Sequence, residues 1–169
     1  MTERTVEKEA LIVALEGETN SALVSLLKQL QMTVVERSAT NLRLLHEELA
    51  DVTLLAEIIN AALLSADPDT ALNLLERCMG TADPQEFSAV LHQPLRRVQL
   101  LTVMGGSPFL AGLLCRKEDC FSTLFVREGV DRSCDEETML SDLRQKIPET
   151  VSFAELKQEL RLFKNEQIL

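Results

Sequence analysis

Val103-Met104-Gly105-Gly106-Ser107-Pro108-Phe109-Leu110-Ala111-Gly112-Leu113-Leu114 joins the end of one helix to the start of the next. Ser107-Pro108 is a helix start: the hydroxyl accepts from free backbone N–H groups, and proline fits the first helical position, where a missing N–H costs nothing. Gly105 and Gly106 let the preceding helix end and the chain reverse, because glycine reaches positive φ without steric cost. The same alternation of chemical stop and chemical start recurs along the chain.

Upstream, a first helix is expected from about Val6 to Glu16, stopping at Gly17. Leu23, Leu26, Leu27, Leu30 and Val34 then form one stripe at spacings of three and four, a single helix face. A third and longer helix, spanning 39–64, carries Leu42, Leu45, Leu49, Val52, Leu55, Ile59 and Leu63 on one side and His46, Glu47 and Asp51 on the other. Asp67-Pro68 opens a helix that closes at Gly80, and Asp83-Pro84 opens the next, with Glu86 completing a capping box. Pro94 begins another through Leu95, Val98, Leu101 and Met104. After Ser107-Pro108, the pairs Ser133/Glu136 and Ser152/Glu155 announce two more capped starts.

This predicts an all-α fold of about eight helices, in a bundle or an irregular helical array. Composition agrees: the chain has 31 leucines, no Trp, no Tyr and 6 Phe, and leucine favours helices whereas sheets draw on β-branched and aromatic residues. No repeat of fixed period recurs. Ser65-Ala66-Asp67-Pro68 is the best boundary between segments 1–65 and 66–169, which form one core or two lobes.

Acidic residues outnumber basic ones by 27 to 17, a net charge of −10. Such a surface repels phosphate backbones and anionic headgroups, so neither nucleic acid nor a membrane is the expected partner. No apolar run has the length of a membrane span. The amphipathic N-terminus lacks a signal-peptide core, which points to the cytoplasm. Cys78, Cys115, Cys120 and Cys134 show no metal-ligand spacing and read as reduced structural thiols.

Chemistry is harder to find. Gly106-Ser107 looks like the first half of a polymerase-β-like nucleotidyltransferase signature, which needs Asp-x-Asp roughly ten residues later to hold two metal ions. Arg116-Lys117-Glu118-Asp119 stands there instead. The acidic run Asp131, Asp135, Glu136 and Glu137 reads as complement to a helix dipole rather than as a cation site. His46 and His92 read as surface residues without a catalytic partner. No catalytic, cofactor-binding or metal-ligating residue is predicted in this chain.

Residues 66–169 resemble the helical accessory region of the glutamine synthetase adenylyltransferases. Asp67-Pro68-Asp69-Thr70-Ala71-Leu72 is similar to the Asp-Pro-Asp-x-Ala-Leu helix start of that family. Gly105 to Leu110 resembles its Gly-x-Ser-x-x-Leu joint. Leu160-Arg161-Leu162-Phe163-Lys164-Asn165 resembles the start of a Leu-Arg-Arg-Phe-like helix, with Leu162 where an arginine is expected. The resemblance implies a longer parent enzyme that transfers or removes AMP on glutamine synthetase, using ATP and magnesium, with a nitrogen-signalling regulatory protein as a further partner. This chain would then be a non-catalytic domain that positions the nucleotidyltransferase domain or docks its protein substrate. Arg96, Arg97 and Arg116 are the expected polar contacts with a partner, and Phe109 the expected core anchor. The alternative is a free-standing helical adaptor for protein–protein interaction.

Overall fold

A computed structural model describes residues 5–17, 19–115, 121–127, 136–147 and 152–168. These residues form eleven helical segments and no strand. The helices are α1 (Lys8–Glu16), α2 (Ser21–Gln29), α3 (Val35–Leu49), α4 (Val52–Ala62), α5 (Pro68–Met79), α6 (Pro84–His92), α7 (Pro94–Gly106) and α8 (Pro108–Leu114). A π-helical turn, π1 (Ser122–Arg127), follows, then α9 (Glu136–Lys146) and α10 (Phe153–Ile168). The all-α expectation holds, with more segments than the eight counted from the sequence.

The starts form where side chains accept the orphan N–H groups of a first helical turn. Asp67 Oδ1 accepts from the Thr70 N–H at 3.0 Å, and Asp83 Oδ1 accepts from Gln85 and Glu86, both at 3.0 Å. Ser107 Oγ accepts from the Leu110 N–H at 3.3 Å. The Ser152/Glu155 box closes in both directions, with the Glu155 N–H on Ser152 Oγ and the Ser152 N–H on Glu155 Oε2. The Ser152 hydroxyl and N–H hold the exposed Glu155 carboxyl below its ordinary value. At α6 the box closes only halfway, because Glu86 reaches away to accept from the Ser122 hydroxyl at 3.2 Å. That bond ties π1 to α6, beside Phe87, Phe121 and Phe125, whose rings follow one another at 5.6 and 5.5 Å.

Four expectations need correction. The single helix over 39–64 is two helices: Ala50 takes a left-handed conformation at φ 51°, and Asp51 caps α4 by accepting from Thr53 and Leu54. The apolar stripe continued across the break in register, and so hid it. Val34 leaves the α2 stripe and stands 49% exposed, because the chain turns at Gln31, φ 60°, before α3 begins. Phe109 is no core anchor: it is 60% exposed, since α8 turns Ala111 and Leu114 inward and places position 109 on the far side. Leu95 is likewise exposed, and the inward face of α7 is Arg97, Leu100, Leu101, Met104 and Gly105.

One buried cluster runs from Val6 to Phe125 and draws on residues from both sides of the 65/66 joint. Its polar seams are as informative as its leucines. Asn60 on α4 holds the backbone of Val6 from both sides, accepting from its N–H at 2.7 Å and donating to its carbonyl at 3.2 Å. Arg43 on α3 gathers the α1–α2 turn. Its guanidinium donates to the Leu15, Gly17 and Thr19 carbonyls and to Asn20 Oδ1, between 2.6 and 3.2 Å. A planar five-donor fork can serve that many acceptors, which an ammonium cannot. Arg43→Ala should cost about 2 kcal/mol in urea denaturation, and Arg43→Lys should recover less than half of it.

Candidate functional site

α7 and α8 carry the residues singled out by sequence, and the structure treats them differently. Arg97 is 6% exposed. Its Nη1 donates to the Leu91 carbonyl at 2.5 Å, and its Nη2 pairs with Glu57 on α4 at 2.8 Å. Leu91 lies in the last turn of α6, where the extended Gln93 ends the helix before residue 95 can donate to the Leu91 carbonyl, so the guanidinium serves a helix C-terminus that lacks a donor. Arg97 is thereby placed inside the fold and joins α4, α6 and α7.

Glu57 keeps half of its side chain in water. Removing it is expected to cost about 1–2 kcal/mol, because a buried guanidinium loses its counter-charge while solvent screens part of the loss. Arg97→Met, which removes the charge and keeps the volume, should cost less than Arg97→Ala; thermal denaturation of the three variants orders them.

Arg96, one residue earlier, lies on the flank of α7 and is half-buried. Its Nη1 and Gln99 Oε1, one turn along the same helix, are buried without a hydrogen-bond partner among the described residues. Leu95 stands beside them, 64% exposed. Arg116 lies outside the described residues, as do Lys117, Glu118, Asp119, Cys120, Asp131, Ser133, Cys134 and Asp135. The structure therefore brings together Arg96 and Arg97 on one helix, with opposite roles.

Gly106-Ser107 sits in helical surroundings: Gly106 ends α7 and Ser107 caps α8. Its neighbour Gly105 does something the sequence reading missed. It lies within α7, against the joint between α4 and α5, where an added Cβ would collide with the Ser65 side chain and meet the Asp67 carbonyl at 2.8 Å. Gly105 is there to let two backbones approach, rather than to reverse the chain.

Asp69 is the most elaborate polar group that sequence reasoning passed over. It is buried in the first turn of α5. Its carboxylate accepts from the Thr33 N–H at 2.8 Å, the Thr33 hydroxyl at 2.9 Å and the Ser38 hydroxyl at 2.6 Å. Burial pushes the carboxyl up, and the bonds from Ser38, Thr33 and the Val34 N–H outweigh it, leaving the group below its ordinary value. Asp69 is a clasp between the α2–α3 turn and α5. An Asp two residues after a cap reads from sequence only as a helix-dipole complement; nothing local announces its partners on Thr33 and Ser38.

His92 is exposed, with Nδ1 on the Ser88 carbonyl at 2.8 Å. His46 is half-buried, and its Nδ1 has no hydrogen-bond partner among the described residues. Among the described residues, no three His, Cys, Asp or Glu side chains converge as a metal site. Among them, too, no helix is long and apolar enough to cross a membrane.

The described residues thus define an all-helical domain with helix-joining polar clasps in its interior. Set against known proteins, the chain matches no family model, no curated protein and no solved structure.

Proposed function

We propose that this chain is a non-catalytic helical domain of a glutamine synthetase adenylyltransferase-like protein and that it acts by position. It would pack against a nucleotidyltransferase domain, or hold the protein substrate or its regulator, in the control of nitrogen metabolism. The observation that carries this reading is the approach of Gly105 to Ser65 and Asp67. Two of the three stretches on which the resemblance rests, 67–72 and 105–110, are far apart in sequence and meet at one joint. Parts of one accessory unit are expected to pack together in this way.

The docking face we favour is the flank of α7 around Arg96, with Leu95 exposed beside it. A half-buried guanidinium whose Nη1 has no hydrogen-bond partner among the described residues, next to an apolar side chain, suits a partner that brings a carboxylate and covers the leucine. ATP and magnesium would belong to the nucleotidyltransferase domain of such a protein. Glutamine synthetase and a nitrogen regulatory protein are the partners to test.

Isothermal titration of the purified chain against glutamine synthetase, the regulatory protein and a separate nucleotidyltransferase domain decides the matter. Binding to one of them that weakens about tenfold in Arg96→Ala supports the proposal. Absence of binding to all three overturns it and leaves the helical adaptor with a different partner.

A further inference from the structure

Cys78 and Cys115 come from different helices and meet in the core. Cys78 lies on the inward face of α5, fully buried, and Cys115 follows the last residue of α8 and is buried beside it. The Cys115 thiol donates to the Leu74 carbonyl at 3.5 Å, one helical turn before Cys78 on the same face of α5. Leu74 and Cys78 are four residues apart on α5, so the Cys115 sulfur lies beside Cys78, and its proximity pushes the Cys78 thiol up. Two buried cysteines are therefore held side by side between two helices, each as a reduced thiol.

We propose that Cys78 and Cys115 form a reversible dithiol/disulfide couple that locks α8 onto α5 when the protein meets a low-molecular-weight disulfide such as oxidised glutathione. The steps balance without any other reactant. The Cys115 thiol gives up its proton and attacks one sulfur of the small disulfide, breaking its S–S bond, releasing one small thiolate and forming a mixed disulfide. The Cys78 thiol gives up its proton and attacks the Cys115 sulfur, releasing the second small thiolate, and the two thiolates take up the two protons. Net, two protein thiols are oxidised to one disulfide and one small disulfide is reduced to two small thiols.

Thermodynamics and kinetics pull apart in this couple. Holding two thiols in contact gives them a high effective concentration toward each other, which favours the internal disulfide over two mixed ones. The neighbouring Cys115 thiol and burial keep the Cys78 thiol protonated well above its ordinary range, so the closed fold is slow to react. The rate is then set by opening of α8, a seven-residue helix with only Ala111 and Leu114 buried, the kind of element that opens locally. Cys115 lies at the C-terminal end of α8 and is the less buried of the two, and so is the entry point.

The test uses the full 169-residue chain with Cys120→Ser and Cys134→Ser, so that only this pair is left. The protein is incubated with oxidised glutathione at neutral pH, quenched by alkylation, and analysed by intact mass and peptide mapping. Loss of two hydrogen atoms, a Cys78–Cys115 cross-linked peptide, a raised thermal midpoint and return to the starting mass with reduced glutathione are expected. Cys78→Ala should stop at a glutathione adduct on Cys115, which shows that Cys115 reacts first. Two overturning results are plain: both thiols fully alkylated after prolonged oxidation, or glutathione adducts on both cysteines with no cross-link. A circular dichroism spectrum unchanged between Cys78→Ala and the parent guards against a variant that has not folded.

Discussion

Asp69→Ala should lower the unfolding free energy by about 3 kcal/mol, read as a shift in the urea midpoint at unchanged slope. The carboxylate is buried and accepts three hydrogen bonds from Thr33 and Ser38. Alanine leaves the buried Ser38 hydroxyl and the Thr33 N–H at the turn between α2 and α3 without their acceptor, and an orphaned buried donor such as the Ser38 hydroxyl costs its desolvation. Asp69→Asn should be intermediate: its oxygen still accepts, while its NH₂ group faces hydroxyls that must turn to receive it.

The same residue sets an acid limb. The folded-state value lies below the ordinary 3.8 of the free side chain, so the Asp69 contribution is fully present above about pH 4 and is lost as pH falls through the folded value. Asp69→Asn removes this part, and its stability should decline less steeply than that of the parent below pH 4. An Asn variant with the parent's acid limb would show that other carboxylates carry it.

Gly105→Ala should cost about 3 kcal/mol, while Gly106→Ala, one residue away, should gain up to about 1 kcal/mol. Both glycines lie in α7, where alanine is the better helix former. At Gly106 a Cβ would meet nothing within 4 Å, so only the helical preference is felt. At Gly105 it would meet the Ser65 side chain and the Asp67 carbonyl, and a backbone carbonyl cannot swing aside. Ser65→Gly combined with Gly105→Ala should restore part of the loss, leaving the share due to Asp67. Thermal denaturation of these three variants and of Ser65→Gly alone measures both contributions. Equal effects at the two glycines would mean that α7 and the α4–α5 joint separate at little cost.

Much of the fold was legible because its punctuation is local. Asp67-Pro68, Asp83-Pro84, Ser107-Pro108 and Ser152 with Glu155 each solve the hydrogen-bond deficit of one helix end within four residues. Each stands in the structure where the sequence placed it. Where punctuation was absent, reading failed. Ala50 turns the chain in a left-handed conformation with no glycine to mark it, and the leucine stripe ran on across the break.

The candidate surface was legible only in part. Arg96 and Arg97 are indistinguishable as neighbours in sequence, and α7 sends one to its flank and the other to Glu57 and the Leu91 carbonyl. Which one is turned inward depends on the rotation of α7 about its axis, and that is set by what α4 and α6 present to it. Phe109 follows the same logic: its hydrophobicity is a property of the residue, while its exposure is a property of the helix's neighbours.

By itself, then, the sequence determined the helical class, the acidic surface and the capped helix starts, since propensity, charge and capping act over a few residues. That Gly105 is a contact rather than a turn, that Asp69 clasps Thr33 and Ser38, and that Cys115 lies against α5 beside Cys78 emerges from the packed helices alone. Each of those depends on which distant helix packs alongside, and packing is chosen by the whole core at once.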